Sequence, residues 1–167
     1  AERNWPGIAV VAHLYYTDLV YELSRQFQAV AGPTTDLYIT VPTHKQTPDL
    51  ISRLERMFLW RFRSVQCISV PNRGMDEGPF FEVIRRIQAA DANPVDLILK
   101  VHTKKSLRAS GADKGKRWRR GLLNGLLGNR DNVQSIINCF EQNPDLGVLA
   151  PERFLMVRSQ RDQTTGA

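Results

Sequence analysis

Short apolar runs of strand length alternate with segments of helical period along almost the whole chain, and this alternation limits the fold more than any other feature. Ile8-Ala9-Val10-Val11-Ala12-His13-Leu14 reads as a strand covered on both faces, because a half-exposed strand would alternate apolar with polar residues. Leu19, Leu23, Phe27 and Val30 follow at helical spacing, with Thr17 or Asp18 placed to cap the helix and Ala31-Gly32-Pro33 to end it. Residues 37–41 and 64–70 read as the second and third strands, and the stripe Leu50, Ile51, Leu54, Met57, Phe58 reads as the helix between them. A third helix follows Gly78-Pro79, where proline suits a first turn, and carries Phe81, Val83, Ile84 and Ile87. Residues 97–102 form the fourth strand, and residues 103–115 show no period. Two more helical faces follow, Trp118, Leu122, Leu123, Leu126, Leu127 and then Val133, Ile136, Ile137, Phe140, before a short fifth strand at 146–150.

Strands separated by helices need crossovers of one hand and a largely parallel sheet, so the expected architecture is an α/β fold of three layers with a mostly parallel, Rossmann-like sheet. Residues 1–157 are expected to form this domain, and 158–167 a polar tail with no closing element, so the domain is read as part of a longer protein. At 167 residues a core of ordinary size is available without disulfides or a structural metal. Cys67 and Cys139 have apolar neighbours and no partner at zinc spacing, and are read as buried thiols of a reducing compartment. No apolar run approaches the ~18 residues of a membrane span, and the first residues lack a signal pattern. A cytoplasmic location is therefore expected, with the inner face of the cytoplasmic membrane as a place of contact.

Charge is distributed unevenly. The chain carries +6, yet residues 100–120 hold nine Lys and Arg against one acid, Asp113, leaving the remainder slightly acidic. A nucleic-acid surface would spread basic residues over several elements and interleave them with aromatics, whereas only Trp118 interrupts this run. The run instead suggests a local anionic ligand such as a diphosphate.

Ligands of parallel α/β sheets bind beyond the carboxyl ends of the strands. That rule selects the loops at 13–17, 41–44, 71–79 and 102–115, where the unusual polar residues stand. Asn72-Arg73-Gly74-Met75-Asp76-Glu77-Gly78-Pro79-Phe80 opens a helix whose first N–H groups favour an anion. Asp76 and Glu77 would repel phosphate, but they can accept from sugar hydroxyls or cap the helix. In Lys100-Val101-His102-Thr103-Lys104-Lys105-Ser106, strand alternation places Ile98, Lys100 and His102 on one face. Lys100 within an apolar strand calls for a carboxylate partner or a sheet edge. His102 is a base, a metal ligand, a phosphate donor or a structural histidine. Lys116-Arg117-Trp118-Arg119-Arg120 opens the next helix, and its arginine forks suit phosphate, a solvated face or acidic lipid. The segment 111–117 fails as a P-loop because its glycine spacing is one residue short and Arg117 replaces the hydroxyl residue.

Taken together, His13-Leu14-Tyr15-Tyr16, the 72–80 motif, the run from Leu97 to Ser106 and Arg117-Trp118-Arg119 resemble the rhamnan synthesis protein F family over about residues 8–151. The resemblance implies a glycosyltransferase of bacterial surface polysaccharide, of rhamnan, O-antigen or lipopolysaccharide type. Its donor would be a nucleotide sugar such as dTDP-L-rhamnose and its acceptor a glycan or lipid-linked glycan. The chain also resembles a distant GT-A core. That likeness puts His13, Tyr15, Tyr16 and Thr43 near the nucleotide and Asn72, Arg73 and Gly74 near the donor. The fourth strand of such cores ends in a metal-holding Asp-x-Asp, where this chain has His102-Thr103-Lys104. The expectation is a metal-independent reaction, with magnesium or manganese as the alternative, in which Lys104, Lys105, Arg117 and Arg119 neutralise the diphosphate. Asp76 is the first candidate for the catalytic base, His102 the second and Glu152 the third. The alternatives are another activated-sugar donor on the same fold, or a noncatalytic glycan- or anion-binding module.

Overall fold

A computed structural model describes residues 5–89, 94–105 and 112–152. Four strands, β1 (Ile8–His13), β2 (Thr35–Pro42), β3 (Ser64–Val70) and β4 (Leu97–His102), form one sheet in the order β3-β2-β1-β4 with every pair parallel. The helices are α1 (Val20–Phe27), α2 (Pro48–Phe58), α3 (Glu77–Ala89), α4 (Ala112–Leu126) and α5 (Arg130–Gln142). The domain is therefore an α/β fold with a Rossmann-like core, as the alternation of patterns predicts.

Strand parity divides the core into two. Ile8, Val10 and Ala12 of β1, with Leu37, Ile39 and Val41 of β2, face α1, α2, α4 and α5, where Leu23, Phe27, Leu54, Phe58, Leu123 and Ile137 meet them. Phe27, Phe58 and Phe62 pack with centroids 5.9 to 6.5 Å apart, mostly edge to face, which adds to the area they bury. Ala9, Val11, Tyr38, Ile68 and Val70 face the other way against Val83 of α3. β1 and β2 are buried along their whole length, so their apolar runs need no alternation. Among the described residues β4 pairs on one side only, and it is half exposed, Ile98 to 45%.

The sequence predicts β3 and β4 at their observed bounds, and three local expectations change. Neither Thr17 nor Asp18 caps α1 with its side chain; a single 3-10 turn, Thr17–Leu19, leads into the helix instead. α4 begins at Ala112, inside the segment read as aperiodic, because one interior glycine, Gly115, costs a helix only about 1 kcal/mol. The Lys116–Arg120 run thus lies within the helix rather than at its start. No fifth strand forms at 146–150. Pro151 packs on Gly125 of α4, where a Cβ would lie 2.9 Å from the proline ring, and Gly147 weakens any strand there. The segment instead lines an apolar cavity of about 600 Å³ beside β4, with Leu97, Leu99, Ile136 and Phe140 on the opposite wall. Cys67 and Cys139 are free thiols and half-buried rather than buried, and burial, helped by Glu55, pushes the Cys67 thiol up to about 11. No helix among the described residues is long and apolar enough to cross a membrane.

Candidate functional site

The chain runs from β1 outward to β2 and β3, then returns to the other side of β1 for β4. The strand order therefore reverses between β1 and β4, and the crevice beyond their carboxyl ends is where such sheets bind ligands. His13 and His102, the last residues of β1 and β4, stand there in register with each other. A cavity of about 470 Å³ opens above them, walled by Tyr15 and Tyr16, by Asn72 to Asp76, and by Thr103, Lys104 and Lys105. It is smaller than the apolar cavity beside β4, but it holds the polar and titratable groups that chemistry requires.

Parity turns Lys100 and His102 toward α3, where Asp76 waits at the end of the 72–76 loop. Lys100 Nζ donates to Asp76 Oδ2 at 2.5 Å, and His102 Nδ1 lies 3.3 Å from the same oxygen. Lys100 thus has both features its place in an apolar strand demanded, a carboxylate and a sheet edge. Burial pushes the Asp76 carboxyl up, but the Lys100 hydrogen bond and the charges of His102 and Lys100 outweigh it and hold the group below the usual carboxylate range. Burial lowers the His102 pKa; Lys100 and Lys104 lower it further, and Asp76 opposes them. His13 is lowered by burial and then by His102, and its Nδ1 is bound to Thr40 Oγ1 at 2.9 Å. Both imidazoles are therefore neutral at neutral pH. Asp76, held ionised, is the weaker proton acceptor, and its contact orients the stronger one.

The loop that carries Asp76 is shaped by backbone conformation. Gly74 has φ +75° and Met75 φ +53°, so two consecutive left-handed residues turn the chain before α3. Gly78 N–H then donates to Gly74 O at 2.9 Å, and a Cβ on Gly78 would come 2.7 Å from Arg73 O. Thr103 ties the loop after β1 to that after β4: its Oγ1 accepts from Tyr16 N–H at 2.9 Å, and its own N–H donates to His13 O at 3.0 Å.

The basic run divides into paired and unpaired charges. Arg119 is buried at 7% exposure, with Nε and Nη2 on the two Glu22 oxygens and Nη1 on the Lys104 carbonyl. These donors serve the protein, so Arg119 positions the Lys104 loop and is not available as the phosphate fork expected of it. Lys105 binds Asp18 and sits 5.2 Å from the Tyr16 ring. Lys104 lies over the Trp118 ring at 4.5 Å, lines the cavity and is exposed. Arg73 is exposed on the rim, whereas Arg117 and Glu152 are exposed and do not line this cavity. Thr43 also lies off it, its hydroxyl bound to Ser69 Oγ and the Val70 carbonyl. Of the expected residues the structure therefore gathers His13, Tyr15, Tyr16, Asn72, Arg73, Gly74, Asp76, His102, Lys104 and Lys105. Sequence reasoning missed the partners Asp18, Glu22 and Thr40, which lie far from the basic run in sequence, and did not count Lys100 or Met75 among the site residues.

Among the described residues Asp76 is the only carboxylate lining the cavity, and it is bonded to Lys100. Among the described residues no cluster of three His, Cys, Asp or Glu could hold a metal ion. A diphosphate-bridging metal needs at least one carboxylate free to bind it, and the one carboxylate that the described residues place in the cavity is already bonded to Lys100, so these residues fit such a metal poorly.

The fold and the crevice define a parallel α/β domain with a polar cavity at its topological switch point. The family model for rhamnan synthesis protein F matches residues 2–161, and the chain belongs to that family. Membership connects it with rhamnan polysaccharide synthesis. Two relatives, each titled "Uncharacterized protein WxcX", come from Xanthomonas campestris pv. campestris strains B100 and ATCC 33913; each is 35% identical over 153 residues, covering 90% of this chain and 20% of the relative. The chain thus spans about a fifth of the length of these curated relatives. No solved structure matches.

Proposed function

We propose that the domain is a GT-A-like glycosyltransferase unit that transfers a sugar, rhamnose, from a nucleotide donor such as dTDP-L-rhamnose to a growing glycan or lipid-linked glycan of O-antigen type. The observation that carries this reading is the Asp76–Lys100–His102 cluster beneath a polar cavity at the switch point. His102 Nε2 takes the proton of the acceptor hydroxyl while that oxygen bonds to the anomeric carbon. The bond from that carbon to the diphosphate breaks, and the leaving group keeps its electron pair. Asp76 holds the His102 ring, and Lys100 holds Asp76 ionised. Lys104 and Arg73 face the diphosphate and balance its charge without a metal. The protein works in the cytoplasm at the inner face of the membrane, where a lipid-linked acceptor is presented.

Pairing of Lys100, Lys105 and Arg119 within the protein favours a second reading, a noncatalytic glycan-binding module. A screen of dTDP-, UDP- and GDP-sugars against the purified full chain separates the two. Saturable thermal stabilisation by one nucleotide, weakened in Lys104→Met, together with sugar transfer in EDTA, supports the transferase. Equal stabilisation by any polyanion with no transfer overturns it, and transfer only after adding magnesium or manganese overturns the metal-free step.

A further inference from the structure

Met75 has two costs, and no packing against the described residues accounts for them. Its backbone sits at φ +53°, a region where a side chain other than glycine, asparagine or aspartate is strained, and its side chain is 83% exposed, which wastes an apolar group on water. Glycine or asparagine would relieve both. Strain retained at an exposed residue points to a ligand, and Met75 stands on the rim of the 470 Å³ cavity, next to Asp76 in the chain. The Tyr15 and Tyr16 rings line another part of the cavity, and Asn72, Arg73, Asp76, His102 and Lys104 offer hydrogen bonds and charge. Met75 is the one aliphatic side chain among the described residues lining the cavity.

We infer that Met75 is a specificity-determining residue that contacts the C6 methyl group of a 6-deoxyhexose. The inference rests on the transferase reading above and gives it a sugar selectivity. Hydrogen-bonding groups select the configuration at C2, C3 and C4, but they give no preference for a methyl group over CH2OH at C6. A 6-deoxy sugar differs from its parent by a methyl group in place of CH2OH, and only an apolar surface favours that difference. The thioether is unbranched and polarizable, so it follows such a methyl group without a preformed pocket. In a polymer of 6-deoxy sugars the methyl can belong to the donor or to the acceptor end, and the two are separated by experiment.

The test uses the full chain labelled with 13C at the methionine methyls, with the Met75 resonance assigned by its loss in Met75→Leu. dTDP-L-rhamnose and dTDP-L-mannose are titrated separately, as are methyl α-L-rhamnoside and methyl α-L-mannoside. The Met75 methyl is expected to shift with a 6-deoxy compound and not with its 6-hydroxy counterpart, in the nucleotide pair if the donor makes the contact and in the glycoside pair if the acceptor does. In transfer assays, Met75→Asn, which tolerates the left-handed backbone, is expected to lower the preference for 6-deoxy sugar by about 5-fold while Met75→Leu keeps it, a value below the ~10-fold of an enclosed methyl site. A Met75 resonance that ignores all four compounds, or shifts equally within each pair, overturns the inference. Nucleotide binding that shifts Met75 without any transfer keeps the contact and overturns the transferase reading instead.

Discussion

Two carboxylate–cation pairs sit at opposite ends of the same sheet and are built for different ends. At the amino end, Asp36 is 3% exposed and fully occupied: Arg63 Nε and Nη2 reach its two oxygens at 2.9 and 2.5 Å, and Ser64 Oγ donates to Oδ1 at 2.8 Å. At the carboxyl end, Asp76 shares one oxygen between Lys100 and His102 under an open cavity. Both carboxyls are held below the usual range against the upward push of burial. The first pair closes the fold, since arginine's fork saturates its partner. The second leaves an imidazole oriented and neutral. Difference in use follows from saturation, not from the type of residue.

Breaking the lower pair gives the largest effect on stability. Arg63→Ala strands a buried carboxylate and is expected to cost about 3 kcal/mol in urea unfolding, with nucleotide affinity unchanged in the folded fraction. A loss below about 1 kcal/mol would mean that Asp36 is no more committed than Asp76.

Breaking the upper pair is expected to show chiefly in rate, on the proposed mechanism. Asp76→Asn is expected to slow transfer by about 10²-fold, less than the ~10⁴-fold seen when a buried carboxylate–imidazole pair loses its acid. It also shifts the pH profile. In the proposed mechanism transfer needs neutral His102, so the rate is expected to fall as pH drops through its pKa, which lies below the ordinary 6.5. Asp76 raises that pKa and Lys100 lowers it, so Asp76→Asn moves the acid limb to lower pH and Lys100→Met to higher pH. Limbs that coincide in all three proteins would exclude His102 as the titrating group.

Acid unfolding sharpens the comparison further. His13 and His102 have depressed pKa values, so below about 6.5 the unfolded chain binds protons that the native state refuses, and stability begins to fall there. Asp36 and Asp76 are also depressed, so their contribution is complete above the ordinary carboxylate pKa near 3.8 and is lost as pH falls through their folded values. Two stages are expected in stability against pH, and His13→Gln should weaken the upper one. The smallest effect belongs to the exposed Lys105–Asp18 pair: Lys105→Met is expected to change stability by less than about 0.5 kcal/mol.

Much of this was legible in the sequence because strand parity and apolar runs are local. The bounds of β3 and β4, the shared face of Lys100 and His102, and the gathering of the 13–16, 72–76 and 102–105 loops all follow from period and from the rule for parallel sheets. Long-range pairing was not legible. Nothing near Arg119 in sequence indicates Glu22, 97 residues away, or that the arginine would be buried. The basic segment looked like one anion-binding surface, whereas Lys100, Lys105 and Arg119 are paired with acids from other elements. The fifth strand failed for a related reason: its apolar pattern was right, but residues 146–150 line a cavity beside β4 instead of pairing with a strand.

The central claim is that His102 accepts the acceptor's proton while other groups bind the donor. The most direct measurement is the single-turnover rate of sugar transfer from dTDP-L-rhamnose by the full chain and by His102→Gln, with donor affinity measured alongside. The account predicts a rate at least ~10²-fold lower in the variant with donor affinity unchanged. Undiminished transfer in His102→Gln would contradict it.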